Sequence, residues 1–378
     1  MLVSVIIPTF NRCGLVREAV ASACVQRGTE FEVVIVDDGS TDDTAAALEN
    51  EFGARVRILR TENRGVAAAR NLGVAASRGE LIAFLDSDDL WLPGKLAAQT
   101  AFFAARPEAE ICQTEEIWIR NGVRVNPCAH HRKPSGDIFE PSLRRCLVSP
   151  SAVMLRRELF ERVGGFDERL LVCEDYDLWL RIARDTPVWL IDRPLVIKRG
   201  GHADQLSRRF WGMDRFRVEA LTRLLEGELT PAQRQATLSV LTKKCTILAK
   251  GAARRGRHAE AEMYRLLPDR FTSTSSFARG SSPGLNGAKP AEAGLASEQP
   301  DSETVDFRHG NSSLPLKKGG QEGFGNGSPE QIPLDPPFSK GEVPAIPPAR
   351  RLSTLSSSGL ASLRRGLEPT AVLRDSRD

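Results

Sequence analysis

The 378-residue sequence predicts an α/β fold with a mostly parallel sheet flanked by helices. Two observations predict this class. Short apolar runs alternate with helical patterns along the amino-terminal part of the chain, and the runs are apolar at nearly every position rather than at every second one. Strands that are buried on both faces have this composition, as in parallel sheets covered by helices on each side. A third observation concerns function, because polar clusters follow three of these runs.

Four strands are predicted from runs rich in β-branched residues, namely LVSVIIP (2–8), FEVVIVD (31–37), RVRILR (55–60) and ELIAFLD (80–86). Helical patterns lie between them, at 12–26, 41–51 and 66–77. This alternation predicts parallel neighbours, because a crossover helix returns the chain to the start of the next strand. For the helix at 41–51, Ser40 or Thr41 is the expected N-cap, with Asp42 and Asp43 favourable at a helix N-terminus.

The pattern is mixed from residue 92 onward. We predict a helix at 95–105, a short helix in CEDYDLWLRIAR (173–184) and a pair of strands in VWLIDRPLVIKR (188–199). Residues 205–267 are basic and mainly helical in pattern. Their last part, 243–267, is expected to form two short amphipathic helices joined at Gly256.

The composition changes after Pro268, where Ser, Gly and Pro dominate and no periodicity continues. Such a segment cannot bury enough apolar surface to fold, so we predict that it is disordered. The chain is therefore divided into an α/β domain at 1–215, a helical extension at 216–267 and a low-complexity tail at 268–378.

Composition excludes few classes of function. The net charge of +3 gives no global argument for nucleic-acid binding. No apolar run approaches the roughly 18 residues that a membrane-spanning helix needs. The seven cysteines are scattered and never form a CxxC pair, which favours reduced thiols over a disulfide framework or a zinc site.

The polar clusters after the strands are Thr9–Asn11, Asp37–Ser40 and Asp86–Asp89. Because the carboxyl ends of parallel strands meet at one edge of a sheet, we expect these clusters to line one crevice, where such sheets bind their ligands. Asp37 and Asp38 are placed to accept hydrogen bonds from a base or a ribose.

The stretch LIAFLDSDDLW (81–91) ends a buried strand in clustered carboxylates. Asp86 and Asp88 can supply oxygen ligands to Mg²⁺ or Mn²⁺, which then holds a diphosphate. One alternative is a solvated turn in which an Asp caps a helix starting near Leu92. Another is the aspartyl motif of a haloacid-dehalogenase-type phosphatase, which usually continues with a small hydroxyl pair, whereas Asp89 and Leu90 follow here.

Two later features carry alternatives as well. Glu174 and Asp175 either mark a helix N-terminus or supply a general base for an acceptor hydroxyl. His202, in KRGGHADQLS, is either a surface residue of a glycine-flanked loop or a ligand.

Taken together, four segments resemble the family 2 glycosyltransferases, which are inverting enzymes with a GT-A fold. They occur in the order of that family and cover roughly residues 1–215. The segments are SVIIPTFNR (4–12), EVVIVDDGSTDDT (32–44), ENRGVAAARNLGVAASRGELIAFLDSDDLWLPGKL (62–96) and GGFDERLLVCEDYDLWLRIA (164–183).

The resemblance implies a role for each candidate residue. The nucleotide-sugar donor would be bound by residues of the first three segments, namely Pro8, Thr9, Asp37, Asp38, Arg70 and Asp86. Asp88 would ligate the metal with Asp86, and His202 is a further candidate for a metal or diphosphate contact. Asp175 would be the catalytic base, with Glu174 beside it.

The implied reaction is transfer of a sugar from a nucleotide-diphosphate donor to an acceptor hydroxyl, with UDP as the expected nucleotide and GDP or dTDP as alternatives. The implied cofactor is Mn²⁺ or Mg²⁺, and the candidate acceptors are a lipid-linked saccharide, a growing cell-surface glycan or a protein. Nucleic acid is not an expected partner. We expect a cytoplasmic location. The basic segment 243–257 either contacts the inner face of the membrane or is a solvated helix face. A non-catalytic nucleotide-sugar-binding scaffold and the phosphatase remain the alternatives.

Overall fold

The structure, a computed structural model, describes residues 1–125, 132–201 and 212–272. Within these ranges it contains nine strands: β1 Val3–Thr9, β2 Phe31–Asp37, β3 Arg57–Arg60, β4 Leu81–Phe84, β5 Leu90–Trp91, β6 Ile111–Arg120, β7 Val123–Val125, β8 Val153–Arg156 and β9 Trp189–Gly200. The four strands predicted at the amino-terminal end are confirmed as β1 to β4.

Ten α-helices are found in the same ranges: α1 Cys13–Cys24, α2 Thr44–Phe52, α3 Val66–Ala75, α4 Lys95–Ala105, α5 Phe139–Ser142, α6 Arg157–Arg162, α7 Glu174–Ala183, α8 Asp214–Glu226, α9 Pro231–Arg254 and α10 His258–Leu266. The helices predicted at 12–26, 41–51, 66–77, 95–105 and 173–184 are all present. Among the described residues, no helix combines the length and the apolar character needed to cross a bilayer.

The sheet has the strand order β3-β2-β1-β4-β8-β6-β9-β5, with β7 paired to β6. The half formed by β3, β2, β1 and β4 is parallel throughout, as predicted. The other half is mixed, because β8 runs antiparallel to both β4 and β6 while β6 and β9 are parallel. In the parallel half, β1, β2 and β4 end on the same edge, and Thr9 stands opposite Asp37.

The core has two apolar layers, one on each face of the sheet. Along β1 and β4, Ile6, Ile82 and Phe84 join the layer that contains α3 and α7, whereas Ile7 and Leu81 join the layer under α1, α2 and α4. Successive residues of a strand point to opposite faces, so a strand covered on both sides is apolar at every position. This explains the continuous apolar runs of the sequence.

Two details of the predicted elements are wrong. The segment 188–199 forms one strand, β9, rather than two, because a bulge opposite Thr114–Glu116 absorbs the irregularity around Pro194. The first of the two expected short helices is the 24-residue α9, which begins with a capping box at Thr230. It ends next to Gly256, whose φ of +74° breaks the helix before α10.

The expected caps are also wrong. Helix α2 begins at Thr44, after Asp43, and it is Asp42 that accepts a hydrogen bond from the Thr44 backbone amide (3.0 Å). Helix α4 begins after Gly94 without a side-chain cap, so the aspartates after β4 do not cap it. Helix capping therefore does not explain the aspartates after β4.

The tail predicted at 268–378 lies outside the described residues from 273 onward. The domain boundaries at 215 and 267 stay predictions. In the described part, α8 contributes Val218 and Leu221 to the same apolar layer as Trp179 of α7.

Candidate active site

The acidic loop after β4 brings three carboxylates together. One oxygen from each of Asp86, Asp88 and Asp89 can be chosen so that all three lie within 4.8 Å of one another. Asp86 Oδ1 accepts a hydrogen bond from Arg70 (2.7 Å), and Asp88 Oδ2 accepts one from Arg12 (3.1 Å). Positive charge therefore already faces two of the three acids, which lowers the repulsion that their clustering creates.

Asp89 differs from Asp86 and Asp88 because it is buried and both of its carboxylate oxygens accept hydrogen bonds. Its Oδ2 accepts from the Ser151 hydroxyl (2.6 Å) and its Oδ1 from the Arg199 backbone amide (2.9 Å). Burial raises the pKa of this carboxyl well above its ordinary value, although the Lys198 ammonium opposes the shift. Asp89 thus ties the acidic loop to β9 and to the segment before β8.

Asp86 and Asp88 are partly exposed, unlike Asp89. Two carboxylates in an Asp-x-Asp arrangement, with a third behind them, form the all-oxygen donor set that a hard divalent cation prefers. The residues present therefore fit a hard divalent cation such as Mn²⁺ or Mg²⁺, for which Asp86 and Asp88 would be the accessible ligands.

The acids after β2 hold the neighbouring loops. Asp38 accepts from the backbone amides of Arg64 and Gly65, both at 2.9 Å, and so fixes the loop before α3. Burial raises the pKa of Asp38, and those two amides partly offset the rise. Asp37 is buried, and its Oδ1 accepts from the Ser40 amide (2.9 Å).

The loop after β1 faces the loop after β2. Pro8 and Thr9 are buried at the end of β1, and Thr9 Oγ1 has no hydrogen-bond partner within the described part of the chain. The Thr9 carbonyl accepts from the Asp38 amide (2.9 Å). The first two predicted polar clusters therefore meet, as expected from the parallel sheet.

Asn11 is a site residue that the sequence analysis included only as the end of a cluster. Its Oδ1 accepts a hydrogen bond from the Thr41 backbone amide (2.8 Å), and its backbone amide donates to Ser40 Oγ (2.9 Å). It adopts a φ of +50°, a conformation that asparagine tolerates better than most residues. Asn11 thereby joins the two loops that border the crevice.

Arg70 links the acidic loop to α7. Its Nη2 lies 2.7 Å from Asp86 Oδ1, and its Nη1 lies 2.7 Å from Glu174 Oε1. Its side chain is only 4% exposed, and the guanidinium carbon lies 5.1 Å from the centroid of the Phe166 ring. Burial acts to lower the pKa of Arg70, but the charges of Asp86 and Glu174 raise it by more. The pKa therefore lies above its ordinary value, and the guanidinium stays charged. The arginine thus acts as a buried bridge between two acidic motifs.

The acid pair at the start of α7 divides into a buried and an accessible member. Burial and the Asp175 charge raise the pKa of Glu174 to about 7, against the opposing effect of Arg70. Asp175 is partly exposed, and its Oδ1 accepts from the Tyr176 amide (2.7 Å). The Cys146 thiol lies 3.5 Å from its Oδ2. Asp175 is therefore the member of the pair that a ligand can reach.

Lys198, on β9, is a site residue that the sequence analysis missed. Its Nζ donates to Ser149 Oγ (3.0 Å). Burial lowers its pKa, but the surrounding acids raise it more, so that the pKa lies above the ordinary value; these acids are Glu116, Asp89, Asp86 and Asp175. The only sequence signal was a basic residue at the end of an apolar strand. His202, the remaining predicted ligand, lies outside the described residues.

With this geometry established, comparison with known proteins defines the class. Residues 4–164 match the family model described as glycosyl transferase family 2. An uncharacterized glycosyltransferase of Rickettsia typhi is 30% identical over 256 residues, which cover 66% of this chain and 76% of that protein. The chain belongs to glycosyltransferase family 2, as the four sequence segments predicted.

One further relative and one solved structure are similar to this chain. UDP-Glc:alpha-D-GlcNAc-diphosphoundecaprenol beta-1,3-glucosyltransferase WfgD from Escherichia coli is 29% identical over 192 residues, 50% of this chain and 73% of that protein. The structure of S. aureus TarS 1-349 in complex with UDP-GlcNAc superposes with a TM-score of 0.51 at 18% identity, covering 73% of this chain and 93% of that one. The fold is of the GT-A type, and the chain is a glycosyltransferase. The phosphatase and the non-catalytic scaffold are set aside.

Proposed function

We propose that this glycosyltransferase moves a sugar, with inversion, from a UDP-linked donor to a hydroxyl of a saccharide or lipid-linked acceptor in cell-surface glycan synthesis. The observation that carries the proposal is the Arg70 bridge, with 2.7 Å contacts to both Asp86 and Glu174. It brings an acidic loop suited to a metal and a diphosphate next to an acid pair suited to proton removal. The two halves of a transfer reaction are thus adjacent.

On the donor side, the loops after β1 and β2 are the proposed nucleotide contacts. Thr9 offers a buried hydroxyl without a partner among the described residues. Asp37 and Asp38 shape the adjoining loops, and Pro8 lies at the same strand end. A divalent cation held by Asp86 and Asp88 would neutralise the charge that develops on the departing diphosphate. His202 is proposed as an additional ligand of the metal or the diphosphate.

On the acceptor side, Asp175 is the proposed base. It is accessible, whereas Glu174 is buried against Arg70. Asp175 would take the proton from the acceptor hydroxyl as that oxygen attacks the anomeric carbon from the face opposite the nucleotide. A single base without an enzyme nucleophile implies inversion, so an α-linked donor gives a β-linked product. Glu174 and Arg70 are positioning residues in this scheme.

The relatives supply the support for donor and acceptor classes. The printed name of WfgD describes a UDP-glucose donor and a lipid-diphosphate-linked saccharide acceptor. The TarS structure contains UDP-GlcNAc. A cytoplasmic location with peripheral membrane contact belongs to the same proposal, and the exposed side chains of Lys243, Lys250 and Arg254 on α9 support it.

The experiment that tests the proposal is thermal unfolding of the full chain with a panel of nucleoside diphosphates and nucleotide sugars, each with Mn²⁺, Mg²⁺ or a chelator. A ligand that binds the native state raises the melting temperature by mass action. We expect one nucleotide sugar to stabilise the protein, and the shift to vanish with the chelator and in Asp88→Asn. Absence of any shift across the panel would refute the donor assignment.

A further inference from the structure

A basic pocket is lined in part by the two neighbours of Cys146, the residue that contacts Asp175, and it shares no residue with the acidic loop. It has a volume of about 580 Å³ and is formed by the end of α5 and by the chain on either side of it. The residues that define it here, and that we call the basic pocket, are Arg132, Lys133, Glu140, Arg144, Arg145 and Leu147.

The charge of the basic pocket is strongly positive. Four cationic side chains line it, against one carboxylate, that of Glu140. Lys133 is buried and pairs with Glu116 (3.2 Å), so its charge is largely matched from within the fold. Arg132 and Arg144 are exposed, and in the described part of the chain neither has a carboxylate partner. Two guanidinium groups are thus available to a ligand.

The position of the pocket connects it to the reaction. Arg145 and Leu147 flank Cys146, whose thiol lies 3.5 Å from Asp175 Oδ2. A few residues further on, Ser149 accepts from Lys198 and Ser151 donates to Asp89. One short segment therefore runs from the basic pocket, past the proposed base, to the acidic loop. Adjacent residues are 3.8 Å apart at Cα, so the pocket wall begins within roughly one residue of the Asp175 contact.

We infer that the basic pocket binds a phosphate or diphosphate group carried by the acceptor. A guanidinium group presents a planar fork of donors that matches phosphate oxygens, and it keeps its charge at all physiological pH values. The donor diphosphate is assigned to Asp86 and Asp88, and the basic pocket contains neither of these residues. A saccharide whose reacting hydroxyl meets Asp175 would place its own anomeric phosphate toward Arg132 and Arg144.

This inference rests on the proposed function, since it takes Asp175 as the base that the acceptor hydroxyl meets. It adds a binding site for the acceptor's phosphate or diphosphate group, formed by residues to which the proposed function assigns no donor contact.

The test is calorimetric titration of the full chain with inorganic pyrophosphate in the presence of a chelator, which removes the metal from the donor site. The test variant is Arg132→Gln with Arg144→Gln. The matched control is Arg27→Gln with Arg57→Gln, which removes two exposed arginines to which no role is assigned. We expect the wild type and the control to bind pyrophosphate and the test variant to bind it about tenfold more weakly, since two charged hydrogen-bond donors are lost at an exposed site. No binding to the wild type, or equal binding to the test variant, overturns the inference.

Two further arms separate the possible explanations. Titration with UDP and Mn²⁺ reports the donor site, and the wild type and test variant are expected to agree. If UDP fails to bind while pyrophosphate still depends on the two arginines, the donor assignment fails and the anion site stands. Sedimentation with phosphatidylglycerol vesicles reports a membrane surface. If the test variant loses vesicle binding but keeps pyrophosphate binding, the pocket contacts lipid headgroups and the inference is wrong.

Discussion

Removal of the buried cation at Arg70 should be far more damaging than removal of an exposed one. In Arg70→Met, Glu174 loses its partner while its side chain is only 8% exposed, and Asp86 loses its partner at 25% exposure. Breaking a buried ion pair by deleting one member lowers the free energy of unfolding by about 3–5 kcal/mol, because the remaining charge is buried without compensation. The exposure of Asp86 argues against doubling this value for the second carboxylate.

The matched control is Arg162→Met, which breaks the ion pair of Arg162 with Glu110 (2.8 Å). The side chains of Arg162 and Glu110 are 54% and 30% exposed, so the free energy of unfolding should fall by less than about 1 kcal/mol. Urea denaturation of the full chain, followed by circular dichroism at about pH 8, measures both variants. If Arg70→Met lost no more stability than Arg162→Met, Arg70 would not be holding two carboxylates in the fold.

The same variant makes a pH-dependent prediction. In the wild type the pKa of Glu174 is raised from 4.5 to about 7, so the folded state binds this proton more tightly than the unfolded state does. The resulting stability is complete below pH 4.5 and is lost as the pH rises through 7. Without Arg70 the pKa of Glu174 should rise further, and the loss should continue above pH 7. The difference between wild type and Arg70→Met should therefore be larger at about pH 8 than at about pH 5, and a constant difference would contradict this cause.

Three other predictions concern the site and its supports. Asp88→Asn should weaken binding of UDP with Mn²⁺ at least about tenfold in calorimetry, since an amide replaces a charged ligand, while pyrophosphate binding in chelator stays unchanged; equal UDP affinity would remove Asp88 from the metal site. Glu116→Gln should lower the free energy of unfolding by about 3 kcal/mol near neutral pH, because Lys133 stays buried without its partner. Despite burial, Lys133 lowers the pKa of Glu116 to about 2, so the deficit should fade only as the pH falls from 4.5 towards 2, and urea midpoints that match the wild type would disprove the pairing. Gly39→Ala should lower the free energy of unfolding, measured by urea denaturation, by more than about 1 kcal/mol. The φ of Gly39 is +83°, and a Cβ there would lie 2.8 Å from the backbone nitrogen of Asn63. Gly122→Ala, with a φ of +77° and open space around its Cβ, is the matched control, and an equal loss in both would exclude the steric clash as the cause.

Local periodicity was sufficient for much of the fold. The strand–helix alternation predicted β1 to β4 and their parallel arrangement, because the apolar runs of β1, β2 and β4 are buried and β3, the less buried edge strand, keeps the same alternation with helices. The meeting of the loops after β1, β2 and β4 followed from the same order. The mixed half of the sheet was not predicted, because pairing between distant segments leaves no local signal, and the bulge in β9 was taken for a break between two strands.

The site was predicted by residue type and not by contact. Asp86, Asp88, Glu174 and Asp175 were singled out as acids in suggestive positions, but the link between them was invisible. Arg70 and Glu174 are 104 residues apart, and their contact depends on how α3 and α7 pack on one face of the sheet. Lys198 and Cys146 were not predicted for the same reason. Neither belongs to a sequence motif, and each contacts the site only through residues that are distant in sequence.

The central claim is that Asp175 removes a proton from an acceptor hydroxyl during transfer of a sugar from a nucleotide donor. The most direct measurement is release of nucleoside diphosphate from the donor selected by thermal shift, with Mn²⁺ and acceptor, in the wild type and in Asp175→Asn. The account predicts that Asp175→Asn binds the donor with unchanged affinity and turns over about 10²–10⁴ times more slowly, the usual contribution of a general base. Near-normal turnover in Asp175→Asn, with donor binding intact, would contradict it.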